Sequence, residues 1–196
     1  MAWQFGGWVR TERAVALNRE AIFRSPASFV AGNPQGDVSV VAFFDHNCPD
    51  CRERAPDLAK LIATDRKVRL VLKELPVLGP DSEAVARVAQ ASIAQGKYFE
   101  LYQALFALPG RATKDKALRI ASELGLDTAR LEADMQDGSV AEALADTKHL
   151  AKSLGVRGVP FYLVGDRAVA AGPDGLYDRL ASAVADIRTY GCRAGC

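Results

Sequence analysis

Val38-Ser39-Val40-Val41-Ala42-Phe43-Phe44-Asp45-His46-Asn47-Cys48-Pro49-Asp50-Cys51 decides how the rest of the chain is read. The apolar, β-branched run up to Phe44 predicts a strand buried on both faces. Asp45-His46-Asn47 interrupts it with a short polar bend. Cys48 then falls at the N-cap position of a helix, and Pro49 at its first residue, where a missing N–H costs nothing. From Arg52 to Ala63, the residues Ala55, Leu58, Ala59 and Ile62 make one apolar face. Two cysteines spaced by two residues at a strand–helix junction form a redox signature. Free N–H groups and the positive end of the helix dipole favour a thiolate on Cys48. Cys51 lies one turn in, within reach of Cys48 and shielded by the helix. Two other readings stay open: half of a zinc site that lacks a matching second pair, and an inert structural disulfide.

The length of 196 residues suits one domain, or one domain carrying an insertion. A hydrophobic content of 49% is ample for a packed core, and 25 basic against 24 acidic residues gives no electrostatic case for nucleic acid or anionic lipid. No stretch approaches a membrane span, so no membrane insertion is expected of this sequence. The cysteines fall in two close pairs, 48/51 and 192/196, a usage that suits an oxidising compartment. Met1 to Arg10 lacks the basic start and apolar core of a signal peptide. Met1-Ala2 is therefore read as a start downstream of a removed signal or anchor, and the protein as extracytoplasmic.

Along the chain, Thr11 to Phe23 reads as a helix with Thr11 as N-cap and Val15, Ala16, Leu17, Ile22 and Phe23 as apolar contacts. With Trp3, Phe5 and Trp8 upstream, residues 1–24 are either a packed helix or an oligomerisation arm. Gly32-Asn33-Pro34-Gln35-Gly36-Asp37 is turn chemistry. After the cysteine-bearing helix, Val68 to Leu75 reads as a strand closed by Pro76, giving a βαβ unit with parallel strands and a right-handed crossover. Helical patterns follow at roughly 82–95, 97–107, 114–124, 127–136 and 139–154. Strand signal returns at Val156 to Val164 and Ala168 to Ala171 around the turn Gly165-Asp166. Asp174 or Gly175 opens a last helix through Arg188. The order is βαβ, helical block, ββα.

That order is an α/β thioredoxin fold with an inserted all-helical block. The core is assigned to 25–80 and 155–190, the block to 81–154 and a flexible cysteine-containing tail to 191–196. The chain resembles the DsbA-like thiol–disulfide oxidoreductases, in particular their bacterial ScsC-like branch. The resemblance is carried by Gly32 to Val38, by Phe43 to Cys51 and by Glu74-Leu75-Pro76-Val77-Leu78-Gly79. Gln95-Gly96-Lys97-Tyr98 and Gly155-Val156-Arg157-Gly158-Val159-Pro160-Phe161 extend it. It covers roughly residues 25 to 188. It implies that Pro160 has a cis peptide bond and faces the two cysteines. The exposed backbone of Val159 would then pair with an extended peptide substrate.

Three positions depart from that pattern. Asp50 lies between the cysteines where strongly oxidising relatives often carry histidine, and a carboxylate near the Cys48 sulfur disfavours a second negative charge. His46 offsets this if it is near and protonated; a solvated bend histidine is the competing reading. Ala42 stands where many relatives carry a buried acid that moves the proton of the second cysteine. Glu74 on the neighbouring strand is the substitute candidate for a proton relay, against the reading of a surface glutamate. Val159 replaces a threonine whose hydroxyl could bond a thiolate.

The expected function is a protein thiol–disulfide oxidoreductase, with Cys48 as nucleophile, Cys51 as resolving thiol, and Pro49, Asp50, His46, Val159 and Pro160 shaping the site. No cofactor is needed beyond the Cys48–Cys51 disulfide. Thiol- or disulfide-bearing proteins are the substrates, and the resemblance implies a membrane redox-recycling partner. Monomer and small homo-oligomer both remain open, the latter suiting an isomerase. Cys192 and Cys196 read as a local disulfide, a thiol relay, an intermolecular link or metal ligands. The rival class is a thiol-based copper or zinc protein, though the only histidines are His46 and His149. A holdase-like module with a structural disulfide is the second rival.

Overall fold

The computed structural model describes residues 13–170, 172 and 175–193. The tryptophans and phenylalanine of the N-terminal arm, Thr11, Ala171, Asp174 and Cys196 lie outside the described residues, with the expectations placed on them.

Two seven-residue strands, β2 (Val38–Phe44) and β3 (Val68–Glu74), form the centre and pair in parallel over their full length, from Val38 opposite Val68 to Phe44 opposite Glu74. Helix α2 (Pro49–Thr64) joins them and completes the predicted βαβ unit. Beyond β2 come β4 (Phe161–Val164) and β5 (Arg167–Val169), each antiparallel to its neighbour. On the far side of β3 lies β1 (Phe29–Gly32), also antiparallel, so the sheet order is β1-β3-β2-β4-β5.

Strand alternation sends the two sets of β2 side chains into separate cores. Val38, Val40, Ala42 and Phe44 face α2 and the last helix, α8 (Leu176–Tyr190), with Leu58, Leu61, Leu176, Leu180 and Val184 packed below them. Val41 and Phe43 face the other way, against Ile22 and Phe23 of α1 (Arg19–Phe23) and Leu150 of α7 (Gly138–Ser153). This two-sided burial is why the run reads as continuously apolar. Between β3 and β4 the chain is helical: α3 (Pro80–Ser92) with a short 3₁₀ turn at Ile93–Gln95, α4 (Tyr98–Ala107), α5 (Lys114–Glu123), α6 (Thr128–Asp134) and then α7.

Four local readings change. The N-terminal helix is interrupted: residues 13–17 are helical, Asn18 is a turn, and α1 resumes at Arg19. Phe29–Gly32, of which only Gly32 had a reading, as part of the turn, is an edge strand. Its four residues carry too little alternation to read alone, and pairing with β3 and the Phe29 ring stacked on Tyr98 at 4.6 Å hold it. The strand expected from Val156 begins only at Phe161, because Pro160 has no N–H to give a ladder. The last helix opens at Leu176 after Gly175 and runs to Tyr190.

Candidate active site

Cys48 is the N-cap of α2, with extended backbone angles, and Pro49 follows at the first helical position. Its sulfur accepts the Cys51 backbone N–H at 3.3 Å, one of the donors a helix start leaves unpaired. Cys48 and Cys51 are free thiols, and both are buried. Burial pushes the Cys51 thiol well up, and the hydrogen bond shared with Cys48 pushes it further. Cys51 is thus held as the protonated partner across neutral pH. Asp50 and Pro49 are exposed.

The opposite wall is the loop before β4. The Val159–Pro160 peptide bond is cis. The Cys48 thiol points at the Val159 carbonyl oxygen, 3.6 Å away. A bond 111 residues apart in sequence therefore closes the site, and it is the feature implied by the resemblance rather than by any local signal.

The bend between β2 and α2 is a fixed joint. Asp45 is buried, and its carboxylate accepts the N–H groups of Asn47 (2.8 Å), Val77 (2.8 Å) and Leu78 (3.0 Å). Asn47 exchanges hydrogen bonds with Ala112, accepting its N–H at 2.8 Å and donating to its carbonyl at 3.1 Å. Arg52 donates to the Gly110 carbonyl at 2.7 Å. The cysteine loop is thereby tied to the β3–α3 loop and to the helical block. Sequence reading passed over Asp45 and Asn47; the signal was there in Asp and Asn just before a helix start, where such side chains bond their own turn.

His46 and Glu74 correct two readings. His46 is not solvated: it is 1% exposed, with its ring edge-on to Phe44 and Tyr102 and tilted against Phe106. Glu74 is not a surface residue. It is 3% exposed, and its Oε1 lies 3.0 Å from His46 Nε2 and accepts the Tyr98 hydroxyl at 2.7 Å. The parallel register explains the placement, since Glu74 is level with Phe44 and so faces the space behind the bend. Tyr98, the last residue of the Gln95-Gly96-Lys97-Tyr98 motif, and Tyr102, one turn further along α4, complete this cluster. Burial raises both phenols, and the charge of Glu74 adds to each shift.

Among the described residues no group of three or more His, Cys, Asp or Glu converges as metal ligands, and the ring nitrogen His46 could offer at Nε2 is already paired with Glu74. Cys192 packs against the larger core beyond α8, while its expected partner Cys196 lies outside the described residues.

Comparison with known proteins agrees with this geometry. A thioredoxin-like oxidoreductase from Silicibacter pomeroyi is 41% identical, with a TM-score of 0.83 over 88% of this chain and 98% of that one. The thiol-disulfide exchange protein alpha-DsbA2 from Wolbachia pipientis is 25% identical, with a TM-score of 0.82 over 90% and 95%. A Na(+)/H(+) antiporter, NhaA 3 of Salinispora tropica, is 29% identical over 140 residues, which are 70% of this chain and 22% of the antiporter. The chain thus spans about a quarter of the length of the curated relatives it matches. Residues 39–185, which include the cysteine pair and the cis-proline, match the DSBA-like thioredoxin domain, and the chain belongs to that family.

Proposed function

We propose that this chain exchanges disulfides with substrate proteins through Cys48, with Cys51 as the resolving thiol. The observation that carries the reading is the Cys48 sulfur, held at a helix N-terminus and turned to the main chain of Val159 beside cis-Pro160.

In the oxidising direction a substrate thiolate attacks Cys48. The Cys48–Cys51 bond breaks, Cys51 leaves with its electron pair, and it takes up a proton as its raised pKa demands. A second substrate thiolate then attacks the substrate sulfur of the mixed disulfide and releases Cys48 as a thiolate. Two electrons have moved to the protein, and the substrate holds the new disulfide. The reverse sequence begins with attack by Cys48 on a substrate disulfide, and Cys51 then displaces the substrate. The Val159 main chain holds an extended peptide with its sulfur against Cys48, and Pro160 keeps that segment out of the ladder. No group other than sulfur is required.

The core at 25–80 and 155–190 carries this chemistry. The helical block at 81–154 serves as the wall that fixes the bend, and the hydrogen bonds of Asn47 and Arg52 to it support that role. Val77 and Leu78, exposed at 47% and 41% on the loop held by Asp45, offer an apolar lip for substrate. Paired cysteines support an extracytoplasmic, periplasmic setting with a membrane partner that resets the site. Among the described residues no helix is long and apolar enough to cross a membrane.

The test is trapping. Cys51→Ser should accumulate a covalent adduct with a disulfide-bearing protein, visible as a dithiothreitol-sensitive band, as Cys48 attacks the substrate disulfide and no second thiol resolves the product. Cys48→Ser should form none. Adducts that persist without Cys48 would overturn the assignment.

A further inference from the structure

The face of the sheet turned away from the cysteines holds a cavity of about 420 Å³ between the N-terminal helix and α7. That volume falls in the range of small-ligand sites. Lys73 lines it, together with Asn18, Ser25, Asp146, Thr147 and His149. Lys73 is 2% exposed, level with Phe43 of β2 and on the opposite side of the sheet from Glu74. Its ammonium donates to the Ala21 carbonyl and, at 2.7 Å, to the Ser28 hydroxyl. The third N–H has no acceptor among the described residues. A buried charge is normally paired with an opposite one. Ala21 and Ser28 satisfy hydrogen bonds but bring no counter-charge, and no described carboxylate makes an ion pair with Lys73. Burial accordingly lowers its pKa to about 8, with Arg69 adding to the shift and Asp146 opposing it. At neutral pH the cavity therefore contains a cation with a spare donor and no anion.

We propose that this cavity binds a small monocarboxylate, such as a short hydroxy acid, with its carboxylate on the Lys73 ammonium. The lysine supplies the charge and the third hydrogen bond. Ser25 and His149, whose side chains bond nothing else among the described residues, supply polar contacts for the rest of the ligand. Asp146 sets the limit on charge. It is exposed on the cavity wall and repels a second negative group, so dicarboxylates and sulfate are disfavoured. The sheet separates this cavity from Cys48, and the proposal stands independently of thiol exchange.

Few charged or titratable groups face Lys73. Its own strand supplies Arg69, and α7 supplies Asp146 and His149. The N-terminal helix turns uncharged Asn18, Ala21 and Ser25 to the cavity, and β2 presents only Val41 and Phe43 on this side. An anion on the ammonium favours the protonated lysine, so ligand binding raises the Lys73 pKa. By the same linkage affinity is full below the free value and falls as pH rises through it.

The experiment titrates the full chain, labelled with ¹⁵N-lysine, with acetate and L-lactate at constant ionic strength while the Lys73 Nζ signal is followed by NMR. The expected result is a saturable, one-site shift of that signal. At saturation its midpoint should stand about one pH unit higher, and affinity should fall about tenfold between about pH 7 and pH 10. Lys73→Met should abolish binding while glutathione exchange at Cys48 and Cys51 continues. Asp146→Asn should tighten acetate binding by roughly two- to fivefold. A Lys73 signal that acetate and lactate leave unmoved overturns the site, as does affinity retained in Lys73→Met. Sulfate or succinate bound as tightly as acetate by the unsubstituted protein overturns the ligand class. Should Lys73→Met fail to fold, the pH profile of the unsubstituted protein decides, since a shift of equal affinity at both pH values contradicts binding to the ammonium.

Discussion

At the scale of single residues the two cysteines differ by environment more than by position. Cys48 sits at the helix start and receives an N–H, whereas Cys51 is surrounded by core and pushed toward the thiol. Asp50 adds an exposed carboxylate between them. Its substitution tests how far a solvated charge reaches: Asp50→Ala should shift the glutathione equilibrium toward the dithiol by roughly two- to tenfold at low salt, with the difference shrinking at about 1 M salt. An effect of opposite sign would show that Asp50 does not act on the Cys48 thiolate. The cysteine pair, Pro49 and Asp50 were readable in the sequence because a strand, a bend and a helix start occupy adjacent residues. Glu74 was placed correctly on the neighbouring strand but not assigned to the interior, since an alternating strand says which face a residue takes and not what lies beyond it. His46 was equally ambiguous. Its burial depends on Phe106 and Tyr102, which reach it from helix α4, some 60 residues away in the chain.

At the scale of elements, two junctions hold the redox unit in the sheet. Gly36 lies where the chain enters β2, and a Cβ there would come within 2.5 Å of the Lys67 carbonyl and 2.7 Å of the Arg69 nitrogen. These are backbone atoms and cannot move aside cheaply. Gly36→Ala should therefore destabilise the fold by about 2 kcal/mol or more in urea unfolding; a neutral outcome would mean that β2 enters with slack. The Gly32 to Val38 motif is explained by this close approach, together with Asn33, which accepts the Gln35 N–H at 2.9 Å and donates to the Arg66 carbonyl at 3.1 Å. The second junction is Arg188 near the end of α8. It pairs with Asp37 before β2 at 2.7 Å and with Asp65, the C-cap of α2, at 2.6 Å. Its hydrogen bonds hold both carboxyls below the usual range. A lowered folded pKa means the unfolded chain binds more protons in acid, so this stabilisation is present above about pH 4 and is lost as pH falls through the folded values. Arg188→Ala should cost about 1 kcal/mol at neutral pH, discounted for solvent exposure, and the gap from wild type should close in acid. A gap that stays constant would contradict the pairing.

Taken whole, the molecule is a βαβ unit completed by a ββα unit, with a helical block between them that reaches back to the active-site bend. Hydrophobic period and punctuation were enough to read that order. The edge strand β1, the late start of β4 and the docking of Asn47 on Ala112 were not readable, because each depends on a partner far away in sequence. The opposite face of the sheet holds one more buried charge. Lys73, 2% exposed, donates to the Ala21 carbonyl and to Ser28 at 2.7 Å, joining the N-terminal helix to β3. Burial foremost, with Arg69 nearby, lowers its pKa to about 8. The unfolded chain keeps that proton to about pH 10, so wild-type stability should rise between about pH 8 and pH 10 relative to Lys73→Met, by about 3 kcal/mol at most. Parallel pH profiles for the two proteins would show that Lys73 is solvated in solution.

The most direct measurement is the redox equilibrium of the Cys48/Cys51 pair in a glutathione series, with Cys192→Ser and Cys196→Ser in place. The account predicts one reversible two-electron transition, abolished by Cys48→Ser and replaced in Cys51→Ser by a single mixed disulfide on Cys48. If the pair does not exchange, or if exchange survives the loss of Cys48, the chain does not work as a thiol–disulfide oxidoreductase through this site.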